Sequence, residues 1–253
     1  MRTESTQLSD AVALQPDWIL NPSFAAEFSC DADAPVLIVL AAGKGTRFGS
    51  EPKCIQPIDG TPLARHSINA FRAISGAPSI CLVGYRSEQV ARSLGDDNVY
   101  VLSRDPAGGT ALAAYEAFAV DQLLEANPVV VVSMGDRIVP TSVFQQLLAT
   151  YHHDNEADVT MLTAEYEPPK NHGKGRIVRD ESGSILRIIE QRDIDQMPAG
   201  DQKEQLQNQR EGNCPLYALR AQTLHRYLGR VGNANAQQQF YFTDVVESIR
   251  RDG

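Results

Sequence analysis

The sequence predicts an α/β fold built on a doubly wound, mostly parallel sheet, and three observations carry that expectation. Two continuous apolar runs, Val36–Ala41 (VLIVLA) and the VVVVSM within Pro128–Met134, have the unbroken hydrophobicity of strands buried on both faces. Strand-like and helix-like segments alternate between and after them, as in a sheet wound by crossover helices. A glycine-rich loop directly follows the first run, at the carboxyl end of a strand, where sheets of this kind bind ligands.

The elements follow in order. Residues 1–34 are polar, acidic and weakly patterned, and read as an N-terminal extension with one short helix around Pro22–Phe28. After the glycine-rich loop, Pro62–Ile74 has helical periodicity, Ser79–Val83 reads as strand, Glu88–Leu94 as helix and Val99–Leu102 as strand. Thr110–Ala126 is a long helix rich in Ala and Leu. The VVVVSM strand, a helix over Thr141–His152 and a strand over Asp158–Thr163 complete a first half, residues 35–165. The pattern then changes. Arg176–Arg179 and Ile185–Glu190 are short strands flanking Asp180-Glu181-Ser182-Gly183, a good hairpin turn. Residues 193–211 are polar and rich in Gln and Asp, a loop or exposed helix rather than core. Leu216–Leu219 returns as strand and Gln222–Leu228 as helix, and another helix starts at Thr243–Arg250. Residues 166–253 thus form a second, β-rich half. No internal repeat is visible, and the abrupt end suggests a truncated chain or an unusually short protein.

Composition sets the outer bounds. Hydrophobic residues make up 42% and charged residues 22%, ordinary globular usage that supplies a core without disulfide or metal staples. A net charge of −9 and the absence of a long Lys/Arg run argue against nucleic acid or an anionic membrane as partner. A few local cations can still hold a small anion. Cys30, Cys54, Cys81 and Cys214 form no CxxC pair, so reduced thiols in a cytoplasmic protein are the plainer reading. The N-terminus lacks a basic start followed by an apolar run, and no stretch approaches the ~18 apolar residues of a membrane span.

The segment Leu40-Ala-Ala-Gly-Lys-Gly-Thr-Arg-Phe-Gly-Ser-Glu-Pro-Lys53 is the most informative. Gly43 and Gly45 let backbone N–H groups approach phosphate oxygens without Cβ interference. Lys44, Arg47 and Lys53 add fixed cations, which stabilise charge that develops on phosphate oxygens as pyrophosphate leaves. Phe48 stands where a Walker A loop or a G-x-G-x-x-G dinucleotide loop needs its next glycine, so neither motif is present. The plain alternative is a tight strand-to-helix turn with incidental surface cations. The three cations and the Pro52-Lys53 pair weigh against it.

L-A-A-G-x-G-T-R-x(5)-P-K resembles the signature of sugar-1-phosphate nucleotidyltransferases, and most of all the uridylyltransferase domain of bacterial N-acetylglucosamine-1-phosphate uridylyltransferases. Further matches run in the family's order through most of residues 36–250. Gly109-Thr110 resembles the Gly-Thr pair that meets the nucleobase, and Gly135-Asp136 the metal-binding Gly-Asp. Gly173-Lys-Gly-Arg-Ile177 resembles Gly-x-Gly-Arg-Ile, and Ile188-Ile-Glu-Gln191 resembles Ile-Val-Glu-x. Asn213 resembles the sugar-binding Asn. Asn235-Ala-Gln-Gln-Gln-Phe-Tyr-Phe-Thr-Asp244 resembles Asn-Ala-Gln-Gly-Glu-Tyr-Tyr-x-Thr-Asp. Each match is weak alone, and their order is specific.

The resemblance implies a Rossmann-like nucleotidyltransferase fold with a small β-rich sugar-binding subdomain. It implies an Mg²⁺-dependent reaction joining a nucleoside triphosphate to a sugar phosphate, with uridylyl transfer to N-acetylglucosamine 1-phosphate favoured. Leu40, Ala42, Gly43 and Gly45 are then nucleotide contacts, with Gly109 and Thr110 helping to select the base. Arg47 and Lys53 hold the phosphates, and Asp136 binds Mg²⁺ and shares in catalysis. Gly175, Glu190, Asn213, Tyr241 and Thr243 line the sugar pocket. In-line attack on the α-phosphorus needs no covalent intermediate, so the site supplies orientation and charge neutralisation. Whether the chain forms a homo-oligomer stays open.

Plainer roles compete at single positions. Asp136 could cap its turn, Glu190 could be a solvated strand residue and Asn213 a loop residue. Tyr241 could be a core aromatic and Thr243 a helix N-cap. His152-His153 reads as an exposed helix end, and Cys54 as a packed thiol with no His to serve as its base. The pattern also departs from the family in three places. Ser103-Arg104-Asp105-Pro106 stands where a base-reading Gln is usual, and Asn213 is followed by Cys214-Pro215 instead of Thr-Gly. The family's second metal ligand, an Asn beyond Thr-Asp, falls past the end of this sequence, as does the β-helix acetyltransferase domain of the bifunctional enzymes. Two other functions are therefore weighed: a cytidylyltransferase acting on an alcohol or sugar phosphate, and a nucleotide-sugar-binding regulator without turnover.

Overall fold

The computed structural model describes residues 6–45, 49–153, 157–170 and 172–252. The strands in chain order are β1 (Val36–Ala41), the small hairpin β2 (Pro57–Ile58) and β3 (Thr61–Pro62), β4 (Ile80–Val83), β5 (Val99–Leu102), β6 (Val129–Met134), β7 (Thr160–Glu165), β8 (Arg176–Arg179), β9 (Ile185–Ile189) and β10 (Glu211–Arg220). The helices are α1 (Leu8–Ala11), α2 (Pro22–Glu27), α3 (Leu63–Ser75), α4 (Ser87–Leu94), α5 (Thr110–Glu116), α6 (Gln122–Ala126), α7 (Thr141–His153), α8 (Gln191–Gln196), α9 (Asp201–Asn208), α10 (Ala221–Leu228) and α11 (Thr243–Asp252).

The main sheet has eight strands in the order β5-β4-β1-β6-β10-β8-β9, with β7 also pairing to β10. β5, β4, β1 and β6 are parallel neighbours. β10 runs antiparallel to both β6 and β7, so β7 points the same way as the parallel set. The strand order reverses between β4-β1 and β1-β6, which opens a crevice beyond their carboxyl ends.

The apolar runs are continuous because each strand feeds two cores. Val36 and Ile38 of β1, with Val130 and Val132 of β6, face a core shared with α5, α10 and α11. Leu37 and Val39, with Val129 and Val131, face the opposite core, formed with α3, α4 and α7. There Phe71 of α3 meets Phe144 of α7 edge to face, with ring centroids 5.1 Å apart. Among the described residues no helix is long and apolar enough to cross a membrane.

Three readings of the sequence need correction. The N-terminal stretch is not merely a polar extension: Leu8, Trp18, Ala25 and Phe28 are buried in the first core. Ile19 bridges Val101 and the Leu20 N–H donates to Tyr100 O, so the segment covers the open edge of β5. These apolar residues follow no strand or helix period, which is why the pattern looked weak. The long helix over 110–126 is broken. A 3₁₀ turn follows α5, and Val120 adopts extended backbone before α6 begins. The Gln-rich segment is also not wholly surface, since Ile194 of α8 and Leu206 of α9 are buried with Ile189 in a third cluster.

β10 is longer than the Leu216–Leu219 read from pattern, and its register shifts between Cys214 and Tyr217. Pro215 lies within that shift and has no N–H to give to a ladder. The strand leaves β6 there and continues along β7 to reach β8.

Candidate active site

A cavity of about 430 Å³ opens at the crevice beyond β1 and β6. Its first wall is the exit of β1. Leu40, Ala42, Gly43 and Gly45 all line it. The Leu40 carbonyl accepts the Gly135 N–H at 2.9 Å, and the Ala42 carbonyl accepts the Tyr85 N–H at 3.0 Å. Gly135 is needed for this approach, because a Cβ there would lie 2.9 Å from the Ala41 methyl. Arg47 lies outside the described residues.

Asp136 follows Gly135 at the exit of β6, and Lys53 opens a 3₁₀ turn after the loop. Lys53 Nζ donates to Asp136 Oδ2 at 2.8 Å on the cavity wall. The fold thus joins a cation and a carboxylate that are 83 residues apart in sequence. The Asp136 side chain is 44% exposed, and its carboxylate bonds to Lys53. Cys54 packs beside this pair with its thiol pushed up to about 11, first by burial.

Gly109 and Thr110 form the next wall and lock onto the segment before α11. The Ala111 N–H donates to Phe240 O at 2.9 Å, and the Phe240 N–H donates to Gly108 O at 2.8 Å. Thr110 Oγ1 accepts the Phe242 N–H at 3.0 Å. Gly109 sits at φ +112°, and a Cβ on it would lie 2.4 Å from Phe240 O. Only glycine fits that contact.

Glu190 and Tyr241 complete the cavity from the β-rich half. The Tyr241 hydroxyl donates to Gln237 Oε1 at 3.1 Å. Glu190 follows β9 and is half-buried, not solvated; burial pushes its carboxyl up, and the Thr243 hydroxyl pulls the other way. Thr243 opens α11, but its buried Oγ1 completes no hydrogen bond, so it is not a side-chain cap.

Gly175, Asn213 and Thr243 do not line the cavity. Gly175 lies against Glu190 instead, and Asn213 is bonded to Gly175. The Asn213 N–H donates to Gly175 O at 2.8 Å, and a Cβ on Gly175 would lie 3.3 Å from Glu190 Oε1. Asn213 Nδ2 donates to the buried Tyr217 hydroxyl at 2.7 Å, while Asn213 Oδ1 is buried without a partner.

Behind this layer Arg176 is 1% exposed. It donates to the carbonyls of Leu206 and Lys174 and to Gln191 Oε1. It ties the Gly173–Gly175 turn to α8 and α9. Sequence reasoning missed Gln237 and Gln239, which also line the cavity. The signal was present in the Gln237-Gln238-Gln239 run, but a run of exposed amides looks like ordinary loop. It missed Arg137 as well, whose Nε is buried without a partner immediately after Asp136.

Residues 37–233 match the MobA-like NTP transferase domain. The chain belongs to that family. Curated relatives include the bifunctional protein GlmU of Staphylococcus carnosus, 34% identical over 217 residues, which covers 85% of this chain and 45% of that protein. GlmU of Pelobacter propionicus is 36% identical over 219 residues, with the same two coverages. This member of the family therefore spans less than half the length of those relatives. Its fold is also that of a UDP-glucose pyrophosphorylase crystallised with UDP-glucose, with a TM-score of 0.64 at 16% identity, covering 87% of this chain and 88% of that one. A Rossmann-like nucleotidyltransferase fold is thereby shown.

Proposed function

We propose that this NTP transferase domain is a sugar-1-phosphate uridylyltransferase, which transfers a uridylyl group from UTP to a sugar 1-phosphate and releases pyrophosphate. N-acetylglucosamine 1-phosphate is the favoured acceptor, by similarity to the GlmU proteins. The observation that carries the reading is one cavity lined together by the bonded pair Lys53 and Asp136, by Gly109 and Thr110, and by Glu190 and Tyr241. We read residues 35–165 as the nucleotide half and 166–253 as the sugar half.

In this reading the open backbone at Gly43 admits the triphosphate, since nothing lies within 4 Å of a Cβ built there. Leu40, Ala42, Gly45, Gly109 and Thr110 hold the nucleoside and its phosphates. Glu190 and Tyr241 orient the sugar, with Gly175 against Glu190 and Asn213 bonded to Gly175. Lys53 and Arg47 neutralise the phosphate oxygens as pyrophosphate leaves.

Asp136 suits Mg²⁺, a hard cation that takes one or two carboxylate oxygens and fills its remaining positions with water and substrate phosphate. Its carboxylate is on the cavity wall with Oδ1 outside the lysine contact. Bound there, Mg²⁺ would supply charge neutralisation to the phosphates. A phosphate monoester is already an adequate nucleophile at neutral pH, so the protein's task is alignment.

The test is pyrophosphate release with Mg²⁺, pairing UTP, CTP, dTTP, ATP or GTP with N-acetylglucosamine 1-phosphate or glucose 1-phosphate. Release that requires UTP and one sugar phosphate together supports the proposal. Release with CTP and an alcohol phosphate instead would replace it with the cytidylyltransferase reading.

A further inference from the structure

Glu116 is a carboxyl residue in a helix face of alanine and leucine. It ends α5, is 1% exposed, and lies among Ala111, Leu112, Ala114 and Ala117 in the first core. Its Oε1 accepts the Arg104 N–H at 2.9 Å. Its Oε2 is buried without a completed hydrogen bond, and so is the hydroxyl of Ser103. Burial pushes the carboxyl up, so the bond its Oε1 accepts from the Arg104 N–H is the contact that offsets the cost of burying it.

The segment this bond holds is the loop from β5 to α5, which brings Pro106 and Gly109 to the cavity. Its other hydrogen bonds join backbone groups, come from the far half of the chain, or close a turn within the loop, where Asp105 Oδ1 accepts the Ala107 N–H. The Ser103 N–H donates to Val83 O, Gln239 Nε2 donates to Ala107 O, and the Phe240 N–H donates to Gly108 O. From α5, the helix that carries Thr110, Glu116 hydrogen-bonds back to the loop, while Leu112 packs against Gly108.

We propose that Glu116 is a positioning residue for nucleobase selection: its carboxyl fixes the Ser103–Gly109 loop at the base end of the cavity, through Oε1 to the Arg104 N–H. This rests on reading the cavity as a nucleoside triphosphate site. Glu116 touches no substrate and acts through the loop. Gln at this position keeps the bond, with its carbonyl oxygen accepting the Arg104 N–H. Ala removes it.

The experiment compares wild type, Glu116→Gln and Glu116→Ala on two readouts. The first is the KM for the nucleotide and for the sugar phosphate, with UTP-over-CTP selectivity. Glu116→Ala is expected to raise the nucleotide KM about tenfold and to lower base selectivity, with the sugar-phosphate KM within about twofold. Glu116→Gln is expected to restore wild-type values within about twofold. A nucleotide KM unchanged in folded Glu116→Ala, or a Gln variant as impaired as Ala, overturns the proposal. Where Glu116→Ala does not fold, Glu116→Met takes its place, filling the same space without an acceptor for the Arg104 N–H, and is expected to raise the nucleotide KM about tenfold. Unchanged nucleotide KM and selectivity in that variant overturn the proposal equally.

The second readout is the backbone ¹⁵N–¹H resonance of Arg104. It should shift in Glu116→Ala and stay near its wild-type position in Glu116→Gln. An anchored amide in a wild type that turns over no substrate and binds no nucleotide would condemn the functional reading and the base-selection role with it, while leaving the structural contact established. An Arg104 resonance indifferent to Glu116→Ala would overturn the contact itself.

Discussion

Lys53 Nζ lies 2.8 Å from Asp136 Oδ2, so the cation after the glycine-rich loop and the carboxylate at the end of β6 face each other across the crevice. The pair is half-open to solvent and is worth about 0–1 kcal/mol of stability at most. That small stake separates a structural role from a chemical one. Lys53→Ala should keep a Tm near the wild-type value and lose at least about 10³-fold in kcat. Asp136→Asn should likewise stay folded and need far more Mg²⁺ for residual turnover. Circular dichroism melts beside pyrophosphate-release rates check both variants. A large Tm loss or near-normal rates would show that the pair is not the reacting centre.

Gly109 makes a separate prediction. Its backbone is left-handed at φ +112°, and the Phe240 carbonyl occupies the space a side chain would need. Gly109→Ala therefore combines backbone strain with a clash against backbone, and should cost about 1–3 kcal/mol or more. At about 2–4 °C per kcal/mol, the melt of a chain this size should show it. Nucleotide affinity should fall further than stability alone explains, because the Gly108–Phe240 contact joins the two halves of the site. A neutral Gly109→Ala would mean that this contact is looser than the geometry implies.

Asp244 sets a pH dependence. Burial, followed by the charges of Glu247, Asp193 and Glu190, raises its carboxyl from 3.8 to about 7. The folded state thus holds this proton more tightly than the unfolded chain. Stability from this group is full below about pH 4, declines as pH rises toward 7, and levels off above. Asp244→Asn cannot ionise and should be the more stable protein at pH 8, by several degrees in Tm. The gap should shrink at pH 5 and close below pH 4. Paired melts at those pH values decide it, and a gap that ignores pH would refute the assignment.

The central sheet was legible in the sequence because β1 and β6 are buried on both faces and announce themselves as unbroken apolar runs. The Gly135-Asp136 turn was marked by the family resemblance, and a Cβ at Gly135 would indeed meet Ala41 at 2.9 Å. The N-terminal cover over β5 was not legible. Trp18, Ala25 and Phe28 are buried by tertiary contact, with no period to betray it. Nor could pattern show that Asn213 bonds to Gly175 beside Glu190, because that depends on β10 changing partners at Pro215. Ile194 and Leu206 are single apolar residues in polar helices, and only the packing of α8 on α9 shows what they bury. Glu116 was lost to the same blindness, a charged residue in a helix whose Ala and Leu made it look uniformly apolar.

Cys54 lies on the cavity wall beside Lys53, a position that invites a covalent role. Its surroundings argue otherwise. The thiol is buried, approaches the Ala41 carbonyl at 3.8 Å, and is pushed up to about 11. At pH 7.5 roughly three in ten thousand molecules would carry the thiolate, too few for a nucleophile that works by that form. Cys81 is buried as well and raised to about 12, whereas Cys30 and Cys214 are partly exposed. Iodoacetamide at pH 7.5 should therefore modify Cys30 and Cys214 well before Cys54 and Cys81, with turnover largely retained at that stage. Cys54→Ala should keep kcat within about threefold and lose about 1 kcal/mol of stability from the vacated space. Peptide mapping of the alkylated protein gives the order of modification. Fast labelling of Cys54 with matching loss of pyrophosphate release would place the thiol in the chemistry after all.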